Sequence, residues 1–250
     1  LSNLCFFVSS AINLDNTNNI GFSYSPKRSA FNAEERFRQT QYTLNSIRLI
    51  EPEAEIYLVD VSENAADYAK RLEYVPKLKF ISVQDLAPDI AEQCRTNNAK
   101  GYCETISTKF FFDNYIDEIS SRDFLCKISG RYFYTGFRRH HFVEENLDKY
   151  IFKPLHLFDW QDSWQFPNEL KINDKIKWIF TCTFAMGKHK FIDFKNRLNH
   201  VVDFYKKDAS HYTVDYECVL PYLVLDDPSI FGSYWHVGGW GGANGDFGVW

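Results

Sequence analysis

The chain alternates short unbroken apolar runs with longer stretches in which apolar residues recur every three or four positions. Leu4-Cys5-Phe6-Phe7-Val8, Glu55-Ile56-Tyr57-Leu58-Val59-Asp60, Leu78-Lys79-Phe80-Ile81-Ser82-Val83 and Phe124-Leu125-Cys126-Lys127-Ile128 are of the first kind. Such runs read as strands buried on both faces. Helical patterns lie between them. Asn32, with Glu35 three residues later, makes a capping box with Asn in the usual Ser or Thr place, and it opens a helix to about residue 50 that Pro52 ends. Phe37, Leu44 and Ile47 share one face of that helix. Residues 65–74 and 103–119 read as further helices, the second sending Ile106, Phe110, Tyr115 and Ile119 to the core, and residues 86–96 as a short helical or irregular piece. This alternation predicts an α/β fold, a mostly parallel sheet with helices on both faces.

Beyond Phe137 the pattern is less regular. Residues 177–183 read as a strand, Met186-Gly187-Lys188 as a turn, and residues 190–207 as an amphipathic helix through Phe191, Phe194, Leu198, Val201 and Tyr205. Residues 214–223 form an apolar helical run with Asp215 and Glu217 at its front. The tail, residues 237–250, sets Gly238-Gly239 and Gly241-Gly242 among Trp and Phe without a period, which suits a flap, an ordered loop over a ligand or a disordered end. At 250 residues one large domain is expected.

The aromatic share of 18% is high, and composition leaves open a thick core, a stacking surface for sugars or bases, or a contact surface for membrane or partner. A net charge of −5 argues against a general nucleic-acid binder, whose footprint is a basic face. The six cysteines, at 5, 94, 103, 126, 182 and 218, make no CxxC pair, so neither a zinc ribbon nor a thioredoxin-like motif is indicated. Cys5, Cys126 and Cys182 sit in apolar runs as small buried hydrophobes, and a reducing cytoplasm is the simpler compartment. No apolar stretch approaches the roughly 18 residues of a membrane span, and no signal-peptide pattern opens the chain. Peripheral contact with the inner face of a membrane stays open.

Three places carry candidate chemistry. Ser129-Gly130-Arg131 sets a hydroxyl, a bare amide and a guanidinium beyond the end of a strand, where ligands of open α/β sheets gather; the plainer reading is a glycine turn with Arg131 in a surface ion pair. Asp60 ends the second strand, where an acid can meet a ribose or base, or else it caps the next helix in competition with Ser62 and Asn64. Lys100-Gly101, with Glu104 following, opens a helix whose free amides and dipole favour a diphosphate; alternatively Glu104 only complements the dipole and Lys100 is solvated. Arg138-Arg139-His140-His141 either holds phosphate or is a solvated loop, and adjacent histidines do not suggest a metal site.

Taken in order, Tyr24-Ser25-Pro26-Lys27-Arg28-Ser29, Glu34-Glu35-Arg36-Phe37-Arg38-Gln39-Thr40, Leu58-Val59-Asp60-Val61-Ser62, Lys100-Gly101-Tyr102-Cys103-Glu104, Lys127-Ile128-Ser129-Gly130-Arg131-Tyr132 and Glu217-Cys218-Val219-Leu220-Pro221-Tyr222 resemble the GT-A-type glycosyltransferases of bacterial and viral surface-polysaccharide (lipopolysaccharide and capsule) clusters. The resemblance implies a GT-A-like, Rossmann-like fold in which residues 1–135 bind a nucleoside-diphosphate sugar and residues 136–250 bind a glycan or lipid-linked acceptor. Ser25, Arg28 and Asp60 would lie near the nucleoside, and Lys100, Gly101 and Glu104 near the diphosphate and donor sugar. Ser129, Gly130 and Arg131 would stand where many such enzymes carry an Asp-x-Asp metal motif. That motif is missing, although Asp226-Asp227 is an acidic pair elsewhere. Mn²⁺ or Mg²⁺ stays open as a cofactor, but without that motif Arg131, Lys100 or Arg138-Arg139 would stabilise the leaving diphosphate in a metal-independent transfer. Glu217 is the expected base on the acceptor hydroxyl, with Asp215 in reserve; both also suit the start of a helix. The competing readings are a non-catalytic sugar- or nucleotide-binding module and a nucleotidyltransferase, whose usual glycine-rich N-terminal loop is missing.

Overall fold

The computed structural model describes residues 3–14, 28–136, 141–159, 167, 170–208, 211, 214–224, 229–231, 237–240 and 246–249. The first half is a βα alternation: β1 (Leu4–Ser10), α1 (Ala33–Ile50), β2 (Glu55–Asp60), α2 (Ala65–Arg71), β3 (Leu78–Ser82), α3 (Val83–Leu86), α4 (Pro88–Thr96), α5 (Lys100–Ile119) and β4 (Phe124–Ser129). There follow β5 (Tyr132–Tyr134), β6 (Tyr150–Phe152), β7 (His156–Asp159), β8 (Lys171–Ile172), β9 (Lys175–Trp178), β10 (Thr183–Gly187), α6 (Phe191–Lys207), α7 (Tyr216–Val224), β11 (Ser229–Phe231), β12 (Val237–Trp240) and β13 (Phe247–Val249).

Seven strands make the central sheet in the order β11-β6-β10-β4-β1-β2-β3. β1 pairs in parallel with both β2 and β4, and β2 with β3, whereas β10 runs antiparallel to β4 and β6. This is the mostly parallel α/β sheet that the run pattern predicts. Side chains alternate across it: Cys5, Phe7, Tyr57, Val59 and Leu125 join one buried cluster with α4, α5, α6 and α7, while Leu4, Phe6, Val8, Ile56, Leu58 and Cys126 join another with α1 and α2. Both faces are covered, which is why the strands read as unbroken apolar runs rather than as alternating ones.

Local chemistry sets several boundaries. The Asn32 side chain accepts from the Glu35 amide at 2.9 Å, and the Glu35 carboxylate accepts from the Asn32 amide at 2.9 Å, closing the expected capping box. α5, expected from residue 103, begins at Lys100, so Lys100 and Gly101 belong to its first turn. The strand expected over residues 177–183 is two: β9 in a small antiparallel sheet with β7 and β8, and β10 in the central sheet. Between them the Ile179 amide donates to the Glu217 carbonyl at 3.0 Å, and the Thr181 carbonyl accepts from Lys127, so tertiary bonds break the run. Met186 and Gly187, read as a turn, close β10 instead. A Cβ on Gly187 would stand 2.3 Å from the Leu147 carbonyl oxygen; the glycine serves close backbone approach, not a turn. The described part of the tail is ordered as strand: β12 pairs with β13 and with β5, setting Gly239 opposite Tyr132. Among the described residues no helix is long and apolar enough to cross a membrane.

Candidate functional site

The carboxyl ends of β1 and β4 are neighbours in the middle of the sheet, and a cleft of about 200 Å³ opens beyond them. It is lined by Ser9, Ser10 and Ala11 after β1, by Ser129, Gly130, Arg131 and Tyr132 after β4, by Arg36 and Thr40 of α1, and by Lys100, Cys103, Glu104 and Ser107 of α5. Leu14, Arg28, Val61 and Cys94 also line it. The turn that carries Arg131 is held on three sides. The Gly130 amide donates to the Ser9 carbonyl at 2.8 Å, its carbonyl accepts from the Thr40 hydroxyl at 3.2 Å, and the Ser129 amide donates to the Cys182 carbonyl at 2.9 Å.

Guanidinium groups dominate the walls. Arg36, buried in α1, donates to the Ala11 carbonyl at 2.6 Å and to the Ser29 hydroxyl at 3.0 Å. Arg28, also buried, donates to the Cys94 and Asn97 carbonyls, which close the end of α4. Arg131 makes no ion pair among the described residues. Burial, and then the charges of Arg131 and Arg28, push Arg36 down to about 9, with Asp60 opposing them. A guanidinium remains protonated in a protein; the shift reflects the free-energy cost of holding it, desolvated, beside two further cations. An anion placed among them would relieve that repulsion.

Behind the cleft lies a carboxylate region. Lys127, in the middle of β4 and fully buried, bonds the Glu104 carboxylate at 2.6 Å, the Ser129 hydroxyl at 2.9 Å and the Thr181 carbonyl. This fixes Glu104, the one acid among the described lining residues, in an ion pair against the sheet. Lys100 Nζ stands 3.9 Å from Glu217 Oε1, which also accepts from the Thr181 hydroxyl at 2.9 Å. Burial pushes the Glu217 carboxyl up, but Lys100, its own backbone amide, Thr181 and Lys127 together hold it below the ordinary range. Asp215 goes the other way. Burial and the Glu217 charge raise it to about 6 against the pull of Lys100. The two carboxyls are driven apart, that of Glu217 toward easier ionisation and that of Asp215 toward harder.

The structure gathers Arg28, Lys100, Glu104, Ser129, Gly130 and Arg131 around one cleft. Asp215 and Glu217 do not line it; they sit behind Lys100. Asp60 does not line it either. Its carboxylate accepts from the Ile12 amide at 3.0 Å and the Ser62 amide at 2.9 Å, clamping the loop after β1 to the end of β2. Gly101 is a packing residue: a Cβ there would stand 2.1 Å from the Tyr205 hydroxyl and 2.8 Å from the Val214 carbonyl and the Tyr216 amide. Ser25, Arg138-Arg139 and Asp226-Asp227 lie outside the described residues. Among the described residues no three His, Cys, Asp or Glu side chains come together as a metal site.

Sequence reasoning missed Arg36 and Lys127. Each leaves a trace in the sequence. Lys127 is a lone charge inside an apolar strand, and Arg36, Gln39, Thr40 and Thr43 form a buried polar stripe on the helix that also buries Phe37, Leu44 and Ile47. Polar groups at core-facing positions need a partner or a ligand.

Fold and cleft together define an α/β protein with an arginine-lined cleft at the carboxyl edge of its sheet. Among solved structures the chain resembles the glycosyltransferase GlyE of Streptococcus pneumoniae TIGR4 in its apo form, with a TM-score of 0.48, 11% identity, and 92% of this chain and 45% of that chain covered. A second structure of GlyE gives a TM-score of 0.48 at 12% identity, with 90% and 45% covered. The chain thus spans less than half the length of these two GlyE chains, and a likeness at this level carries no argument about activity. No protein-family model and no curated protein matches the sequence.

Proposed function

We propose that this chain is a glycosyltransferase that moves a sugar from a nucleoside-diphosphate donor to a hydroxyl of a glycan or lipid-linked acceptor. The observation that carries the reading is the gathering of Arg28, Arg36 and Arg131 at one cleft, where burial and then the neighbouring charges push Arg36 down to about 9. Planar, fork-shaped cations around a small cleft suit a diphosphate. In the transfer the acceptor oxygen attacks the anomeric carbon, the bond from that carbon to the diphosphate oxygen breaks, and the electron pair leaves with the diphosphate. Arg131, Arg36 and Lys100 take up the developing charge, so the step needs no divalent cation. The acceptor proton goes to a carboxylate. Asp215, raised to about 6, is better matched to that task near neutral pH than Glu217, which is held ionised and whose charge keeps Lys100 in place. The base is one of these two carboxylates, which stand beside Lys100 and not on the cleft wall, and the variants Asp215→Asn and Glu217→Gln tell them apart. Residues 1–135 would supply the donor site, and the later residues the acceptor side.

Calorimetry with nucleoside diphosphates, followed by measurement of nucleoside diphosphate released from nucleotide sugars in the presence of chelator, tests the reading. Binding that weakens in Arg131→Ala, with release that survives chelator, is the expected result. Binding without any release would leave a nucleotide-binding module, and no binding of any nucleoside diphosphate would remove the donor site altogether.

A further inference from the structure

The buried cations among the described residues are not satisfied alike. Arg28, Arg36, Arg95 and Lys127 each donate to a backbone carbonyl. Lys153, just past β6, does not. It is 2% exposed, and its ammonium has no hydrogen-bond partner among the described residues. Burial lowers its pKa, and the group that opposes the shift is the Cys182 thiol, not a carboxylate. β6 pairs with β10 so that Ile151 stands opposite Ala185, and the same register sets Thr183 opposite Lys153. The Thr183 hydroxyl is a second buried polar group without a partner among the described residues. Two such groups at paired positions, one of them charged, call for a ligand.

The ammonium is covered by an aromatic ring. Lys153 Nζ stands 4.5 Å from the centre of Phe180. Phe180 meets Trp178 edge to face at 4.3 Å, and the His156 ring lies 5.5 Å from Trp178 and 6.0 Å from Phe180. Trp178 and Phe180 are half-buried, and His156 is exposed. The strand that carries the two larger rings is tied to the carboxylates at one end and to the cationic turn at the other. The Ile179 amide donates to the Glu217 carbonyl at 3.0 Å and the Thr181 hydroxyl to the Glu217 carboxylate at 2.9 Å, while the Cys182 carbonyl accepts from the Ser129 amide at 2.9 Å. Aromatic faces suit the apolar face of a sugar ring, and a carboxylate is a stronger partner for an ammonium than a ring face is.

We propose that Lys153 and Thr183, with His156, Trp178 and Phe180, form a subsite for a carboxylate-bearing sugar of the uronic or sialic acid class. The sugar packs its apolar face on Trp178 and His156. Its carboxylate displaces the Phe180 ring from the ammonium and accepts hydrogen bonds from Lys153 and from the Thr183 hydroxyl. That this sugar belongs to the acceptor rests on the transferase reading; that the site takes an acidic sugar does not.

The test titrates the full chain, by ligand-observed NMR, with the methyl glycosides of glucuronic acid, N-acetylneuraminic acid and glucose, and with acetate. At least one acidic glycoside binds about tenfold or more tightly than both the glucoside and acetate. Lys153→Met keeps the apolar stem and removes the unpaired charge, so the thermal midpoint holds or rises, and the acidic glycosides fall to the level of the glucoside. Thr183→Val weakens the acidic glycoside by roughly three- to tenfold and leaves the glucoside unchanged; it decides the matter if Lys153→Met does not fold. Acidic and neutral glycosides bound alike, acetate bound as tightly as the acids, or a preference that survives in the folded variant overturns the proposal. Nucleoside-diphosphate binding is measured separately. Acidic glycosides bound by a chain that binds no nucleoside diphosphate would sink the transferase reading and keep this subsite, and the reverse result would sink the subsite alone.

Discussion

The first turn of α5 separates two charged regions built on opposite signs. On one side Arg28, Arg36 and Arg131 face a cleft in which Glu104, the one acid among the described lining residues, is already taken by Lys127. On the other, Asp215 and Glu217 stand close enough that one carboxyl rises to about 6 while the other is held low, with Lys100 between the two regions. Both store like-charge repulsion in a poorly solvated place, where it is strong. They would release it differently: the arginine region by taking an anion, the carboxylate region by taking a proton. Lys100, on the cleft wall and 3.9 Å from Glu217, stands between the two.

The sharpest break comes from the carboxylates. Asp215→Asn lowers turnover at least about a hundredfold if it takes the acceptor proton, whereas Glu217→Gln costs less; steady-state transfer assays that return the opposite order would exchange the two roles. Next in size is Arg131→Ala, which weakens nucleoside-diphosphate binding by roughly ten- to a hundredfold by calorimetry, the usual worth of a charge-assisted contact. If affinity is unchanged, the cationic cleft is not the diphosphate site. Gly101→Ala attacks the seam between the regions. Its Cβ would press on Tyr205, Val214 and Tyr216, and denaturant unfolding should show a loss of about 1–3 kcal/mol.

The smallest effect is one of pH. The Asp215 carboxyl is harder to ionise in the fold than in the unfolded chain, so the folded state loses stability to it as pH rises from 3.8 to about 6, and the penalty is fully present above that. Asp215→Asn therefore raises the thermal midpoint above pH 6 and leaves it nearly unchanged below 3.8. Turnover of the unaltered chain rises through about pH 6 as the base ionises. A flat profile there would detach Asp215 from the chemistry.

Legibility followed the range of the interactions. The capping box at Asn32 and the bounds of α1 and β2 were readable because each rests on a few neighbouring residues. So was the Ser129-Gly130-Arg131 turn, which ends a strand in a βα alternation. The run over residues 177–183 misled because local propensity is the same on both sides of a crossing between sheets, and only Lys127 and the α7 backbone mark where the chain leaves one for the other. Gly101 and Gly187 look like turn or ligand glycines in the sequence. Each is a glycine because a distant segment, at Tyr205 or at Leu147, comes within contact distance.

By itself, then, the sequence determined the α/β class, the buried parallel strands, the helix that Asn32 caps and part of the group beyond β1 and β4, namely Arg28, Lys100, Glu104 and the Ser129-Gly130-Arg131 turn. Hydrophobic period and capping are written within one or two turns of chain. Tertiary structure alone decided that Arg36 joins Arg28 and Arg131, that Lys127 removes Glu104 from the reckoning of charge, and that Asp215 rather than Glu217 is poised near neutrality. Those outcomes depend on burial and on charges contributed by residues far apart in the sequence, and both exist only once the chain has folded.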